Sequence, residues 1–222
     1  MGTLIALEGT DAAGKATQSK LLAERISRLG HEAVVYSFPR YETEVGKTLR
    51  RHLMGETAVV QSLIRGQNVD TLPLIRADED PLWFQSVMLA DKMDAATDIR
   101  AHLRAGRYII CDRWTPSAQA FGASDGLSRD WLRRVQEPLP EADLYLLLTV
   151  SEEETLRRRP VLRDRYEKDR EKQKVVRAEY EALWRERVTD ARWRTIDGEG
   201  PDAATVHARI WREVCSVSMV LG

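Results

Sequence analysis

Cysteine is scarce in this 222-residue chain, with only Cys111 and Cys215. Two thiols cannot form a disulfide scaffold, and Cys111, which ends an apolar run, reads as a small buried side chain. An excess of one charge is also missing. Lys and Arg number 34 and Asp and Glu 35, a net charge of −1. That balance argues against nucleic acid or an anionic membrane as main partner, since both select a basic face. Long hydrophobic runs are absent, and none approaches the roughly 18 apolar residues of a membrane span. The N-terminal MGTLIALEG has no basic region followed by a long apolar stretch, so the expected location is the cytoplasm. There is no internal repeat and no low-complexity linker. Any site for a phosphorylated ligand must therefore be built from a few well-placed cations.

What is present is an alternation of strand-like and helix-like segments. Short apolar runs stand at Leu4–Leu7, Ala33–Phe38, Tyr108–Cys111, Leu144–Val150 and Trp193–Ile196. They lack polar alternation, which predicts a sheet covered on both faces and mostly parallel. Between the first two, Leu22, Ile26 and Leu29 follow the i, i+4, i+7 spacing of a helix face, and Gly30 is a stop. The length suits a single domain, 1–222, in an α/β three-layer architecture of five strands. Two stretches stand apart. Residues 55–81 have weak periodicity and read as a loop-rich insertion. Ser151–Arg194 is densely charged and reads as a long exposed helix, with a helical lid expected at about 151–170.

The first run leads into EGTDAAGKATQ, in which Gly9 is followed after four residues by Gly14 and Lys15. This is the phosphate-binding pattern. Glycines let backbone N–H groups converge on phosphate oxygens, the helix N-terminus adds a favourable dipole, and the lysine reaches the β and γ phosphates. The expected ATP contacts are Gly9, Thr10, Asp11, Ala12, Ala13, Gly14, Lys15, Ala16 and Thr17. The pattern usually continues with a serine or threonine whose hydroxyl ligates Mg²⁺. Here Ala16 offers no ligand, and Thr17 points about 100° away around the helix. The metal must then lean on water and a carboxylate elsewhere, which Mg²⁺ tolerates. Asp112 and Arg113 close the third run, at the sheet edge where α/β proteins bind ligands. Asp112 can hold the hydrated metal and Arg113 can clamp a phosphate. The arginines at 157–159, 163 and 165 supply the cations that phosphoryl transfer needs to close over the migrating group and exclude water.

In these segments the chain resembles thymidylate kinases of the nucleoside monophosphate kinase group, from Leu4 to about Val214. The matching stretches are LEGTDAAGKATQ, SFPRYETEVGKTL, CDRWTPSAQAFG, RRRPVLRDRYE and WRTIDG. The resemblance implies a P-loop kinase fold, transfer of the ATP γ-phosphoryl group to dTMP to give dTDP, Mg²⁺ with ATP as co-substrate, and a homodimer. It places Asp11 on the acceptor sugar, Phe38 and Pro39 at the nucleoside pocket, Ser117 and Phe121 beside the base, and Tyr166 near the acceptor. Since Ala12 and Ala13 leave the loop without a basic residue, it also implies that Arg158 or Arg163 is the catalytic lid arginine. Three positions depart from the family pattern. Met88 and Lys92 stand where an aromatic and a base-reading arginine are usual, and Arg40, the expected phosphate clamp, follows Pro39 directly. Lys92 is then expected to donate one hydrogen bond to a pyrimidine O4. Two alternatives stay open: a kinase for another deoxynucleoside monophosphate such as dUMP or a modified pyrimidine, and a non-catalytic nucleotide-binding module, which the lack of a hydroxyl at Ala16 favours and the arginine-rich lid opposes.

Overall fold

The computed structural model describes residues 2–54, 81–158 and 169–217. Five strands form one sheet: β1 (Thr3–Glu8), β2 (Ala33–Ser37), β3 (Tyr108–Asp112), β4 (Leu144–Thr149) and β5 (Trp193–Asp197). Their order is β2-β3-β1-β4-β5 and every pairing is parallel. Each falls on an expected run. Their unbroken apolarity has the anticipated cause, since from Leu4 onward β1 is buried on both faces.

Alternate strand residues feed two cores. Ile5, Leu7, Ile110, Leu146 and Leu148 meet α1 (Lys15–Arg28) and α8 (Ala203–Val217) on one face, through Leu22, Ile26, Ile210 and Val214. Leu4, Ala6, Ile109, Cys111 and Tyr145 meet α3 (Pro81–Arg104) on the other, through Ala95, Ala96 and Ile99. The result is three layers. Full burial of a Leu or Ile stabilises by about 1.5–3 kcal/mol, so Leu22 and Ile26 alone anchor α1 firmly.

The layer around α3 is completed by α2 (Glu44–Leu53), α4 (Thr115–Ser124), α5 (Arg129–Arg134) and α7 (Arg170–Arg187), while α6 (Glu152–Arg158) follows the carboxyl end of β4. Here one expectation is corrected. Within Ser151–Arg194 the described residues form two helices, α6 and α7, and then β5, in place of one long helix. Nor is α7 merely solvated: Val176, Tyr180 and Leu183 are buried against Ala120 of α4 and Leu147 of β4. The expected insertion at 55–81 lies, except for Pro81, outside the described residues.

The topology positions the site. From β1 the chain passes through α1 towards β2, at one side of the sheet. From β3, the strand beside β1, it passes through α4 and α5 to β4, on the far side of β1. The carboxyl ends of β1 and β3 therefore sit side by side where the connections diverge, the switch point at which α/β sheets open a crevice.

Candidate active site

The loop after β1 curls as a phosphate cradle. Gly9, Ala12 and Gly14 have φ of 134°, 59° and 98°. A Cβ on Gly9 would come within 2.3 Å of the Leu148 carbonyl oxygen, so a side chain there would push the loop off the sheet. Lys15, first residue of α1, turns back over the loop and its Nζ donates to the carbonyls of Gly9 (3.0 Å) and Thr10 (2.8 Å). Burial lowers its pKa to about 8, and Arg113 pushes the same way against the pull of Asp112, Asp11 and Glu8. Phosphate oxygens in the cradle would restore a full ammonium charge. Ala16 and Thr17 are exposed in the first turn of α1.

Arg113, just past β3, links this cradle to a cavity. Its Nη2 donates to Asp11 Oδ1 (2.6 Å), and its Nη1 to the Gly9 carbonyl (3.1 Å), Ser117 Oγ (3.3 Å) and Tyr180 Oη (3.3 Å). The guanidinium stacks over Phe121 at 4.9 Å. Arg113 holds φ at 70°, a left-handed conformation that costs a non-glycine residue about 1–2 kcal/mol and is maintained by these bonds. Burial alone would lower its pKa, but Asp11, Tyr180 and Asp112 outweigh that and hold it above its ordinary value.

Beneath Arg113 lies Glu8, fully buried at the end of β1. Its carboxylate accepts from the Trp114 N–H (2.6 Å), Ser117 Oγ (2.5 Å) and Tyr180 Oη (3.2 Å). Burial raises the Glu8 pKa, while the bonds from Ser117 and Trp114 oppose the rise. Burial, with Glu8 behind it, also raises that of Tyr180. From α7, Gln173 Nε2 reaches Asp11 Oδ2 at 3.2 Å. Loop, strand end and α7 thus share one polar network.

The cavity is lined by Asp11, Pro39, Met88, Arg113, Ser117 and Phe121, all expected at the acceptor site. Tyr41, Leu53, Phe84, Gln85 and Ala118 complete the wall. Arg158, at the end of α6, reaches the cradle. Its Nη1 donates to the Ala12 carbonyl (3.2 Å), its Nη2 to the Gly198 carbonyl (2.7 Å), and its Nε to Glu154 (2.6 Å). Among the described residues no cluster of three acidic, His or Cys side chains could cage a metal. A single carboxylate at Asp112, with no oxygen at Ala16, would fit a cation that keeps most of its waters, as Mg²⁺ does.

The thymidylate kinase family model matches residues 7–210. The chain belongs to the thymidylate kinase family. Similar proteins include thymidylate kinases of Homo sapiens, 29% identical over 88% of this chain and 82% of that one, and of Caenorhabditis elegans, 29% identical over 95% and 89%. A probable thymidylate kinase of Pyrococcus abyssi is 30% identical over 81% of each chain. Among solved structures, a thymidylate kinase of Candida albicans superposes with a TM-score of 0.74 at 23% identity, covering 97% of this chain and 92% of that one, a likeness of fold.

Membership in the thymidylate kinase family makes the chain an ATP-dependent phosphotransferase, and three expected acceptor contacts need correction within that frame. Lys92 is fully buried and donates its Nζ to the Trp114 carbonyl at 2.8 Å, away from the cavity wall. Arg40 is held by Asp91 and Asp94, with Nε to Asp91 Oδ1 at 2.9 Å and Nη2 to Asp94 Oδ2 at 2.6 Å, so it pins the loop after β2 to α3. Phe38 packs between Tyr36 and Trp114 in the core and does not line the cavity. Arg163 and Tyr166 lie outside the described residues, as do Arg165 and Glu167. Glu8, Tyr180, Gln173 and Gln85 were not anticipated. For Tyr180 a signal existed: Val176, Tyr180 and Leu183 follow the i, i+4, i+7 spacing of a buried face within the charged run.

Proposed function

We propose that this chain transfers the γ-phosphoryl group of ATP to dTMP in the cytoplasm. The acceptor phosphate oxygen attacks the γ-phosphorus, the bond to the β-bridging oxygen breaks, and dTDP and ADP leave. The observation that carries this reading is the 2.6 Å pair between Asp11, inside the phosphate cradle, and Arg113, on the cavity wall. One guanidinium touches both the donor loop and the acceptor cavity, so a bound monophosphate and the γ-phosphate would meet across it. A module that only holds nucleotide has no use for a second cavity joined to its cradle.

In this reading Lys15 leaves the Gly9 and Thr10 carbonyls for the β and γ oxygens, and Arg113 clamps the acceptor phosphate. Arg158, poised between the loop and Gly198, neutralises charge that develops during transfer. Pro39, Met88 and Phe121 give the flat base an apolar slot, and Ser117 sits at its edge. Mg²⁺ would be held by Asp112 through water; when bound it neutralises charge on the β and γ oxygens. A homodimer fits the outer face of α3, where Leu82 and Met93 are exposed on one side about three turns apart.

A panel of monophosphates at fixed ATP tests the acceptor. The expected order of kcat/KM is dTMP, then dUMP, with purine monophosphates far behind. Discrimination against dUMP rests on one methyl group and should reach about 1–3 kcal/mol at most. A purine monophosphate that outruns dTMP would overturn the acceptor assignment and leave the phosphotransferase intact.

A further inference from the structure

The displacement of Lys92 leaves a question of chemistry. A cavity for a pyrimidine needs a group that reads the base edge, and the expected reader points elsewhere. On the wall, Asp11, Arg113 and Ser117 are joined through the bonds of Arg113 to the other two. Gln85 differs. It lines the same cavity, is 4% exposed, and its Oε1 is buried without a hydrogen-bond partner.

An orphaned buried carbonyl is destabilising, and native proteins keep few of them without a reason. No wall residue supplies one: Phe84, Met88, Leu53 and Phe121 are apolar, and none of the polar wall residues bonds this oxygen. Gln85 stands seven residues before Lys92 on α3, two turns along nearly the same helix face. The helix therefore offers a polar group at the cavity as well as the one that burial has turned to Trp114.

We infer that Gln85 is the specificity-determining residue of the acceptor cavity, its side-chain amide pairing with the edge of the pyrimidine base. This rests on the reading of the cavity as the monophosphate site. A carboxamide carries an acceptor and a donor side by side. Oε1 accepts from N3–H of thymine or uracil while Nε2 donates to O4. The orphaned oxygen is satisfied only when the acceptor is present, so its cost falls on the empty enzyme and is relieved on binding. Adenine offers the reverse pattern, an acceptor N1 beside a donor N6, whereas guanine N1–H and O6 match, so the amide reads against adenine and not against guanine.

The test is Gln85→Met, nearly isosteric and apolar, measured for kcat/KM with dTMP and for melting temperature without ligand. Loss of both hydrogen bonds should lower kcat/KM by about 10- to 100-fold. Removal of the orphaned carbonyl should at the same time raise the melting temperature of the free protein by about 2–4 °C. A residue needed only for structure would lower it. Gln85→Glu, assayed at pH 9, provides a second measurement. It keeps the shape but offers acceptors alone, so it can accept once from either base, thymine N3–H or cytosine N4–H, and clashes once with either; the wild-type preference for dTMP over dCMP should shrink by about tenfold. If the wild type phosphorylates dTMP and both variants keep its kcat/KM and its base ratio within about twofold, Gln85 does not read the base, while the monophosphate site stands. If the wild type phosphorylates no pyrimidine monophosphate, the site assignment and this inference fail together.

Discussion

Replacing Arg158 by alanine separates a chemical role from a mechanical one. In the free enzyme Arg158 is a strut that ties α6 to the cradle through the Ala12 carbonyl and to the segment after β5 through the Gly198 carbonyl. Its Nε also bonds Glu154, but Arg157 holds the same carboxylate by two further bonds of 2.6 and 2.7 Å, so that anchor survives. Two hydrogen bonds to carbonyls are then at stake, each with a net worth of about 0.5–1.5 kcal/mol. The strut alone predicts a fall in melting temperature of about 2–12 °C and little else. Transition-state charge stabilisation predicts something different in kind. A cation that closes over the migrating phosphoryl group is worth ~10³ in rate or more, about 4 kcal/mol of barrier. We therefore expect Arg158→Ala to lower kcat by about 10³-fold with KM for dTMP nearly unchanged, the signature of an interaction made chiefly in the transition state. The assay is ADP release at saturating ATP and dTMP, run beside a thermal melt. A kcat within about threefold of wild type, with the melting temperature reduced, would refute the catalytic role and leave only the strut.

Lys15→Met should lose at least ~10²-fold in kcat, the scale of one preorganised charge donor, and keep its melting temperature, because the ammonium is buried against loop carbonyls rather than holding elements together. Ala16→Thr should lower the Mg²⁺ concentration that half-saturates the reaction; an unchanged or higher value would show that another group already fills the hydroxyl's place. Burial lowers the Lys92 pKa to about 8, against about 10.4 in an unfolded chain. Between these values the unfolded state binds more protons, so this lysine's penalty on stability is full below pH 8 and fades as pH rises to 10.4. Lys92→Met should accordingly gain most in melting temperature relative to wild type at pH 7, and that gain should shrink by pH 10.5. A difference independent of pH would mean that Lys92 is not strained by its burial.

The layer architecture was legible because it follows from local pattern. All five strands were visible as short apolar runs, and α1 from the spacing of Leu22 and Ile26. The cradle from Gly9 to Lys15 was legible for the same reason, and the Asp112-Arg113 pair showed as a dipeptide at a strand end, although the partners that fix Arg113, Asp11 and Tyr180, lie 102 and 67 residues away. Strand order was not in the pattern, since nothing local places β3 between β2 and β1. The acceptor side was the hardest to read. Whether Arg40 or Lys92 faces a ligand depends on what else competes for its charge, and Asp91, Asp94 and the Trp114 carbonyl win. Glu8 was hidden in a strand end because its partners Ser117 and Tyr180 lie 109 and 172 residues away. Gln85 carries no periodic signal, and its meaning comes only from the cavity it faces.

The central claim is that donor cradle and acceptor cavity form one transfer site, joined at Asp11 and Arg113. The most direct measurement follows the label from ATP carrying ³²P in its γ-phosphate, with and without dTMP. Label should appear in dTDP, with one ADP formed for each dTDP and little free phosphate when dTMP is left out. Label released as inorganic phosphate at a rate indifferent to dTMP, with none in dTDP, would contradict the account.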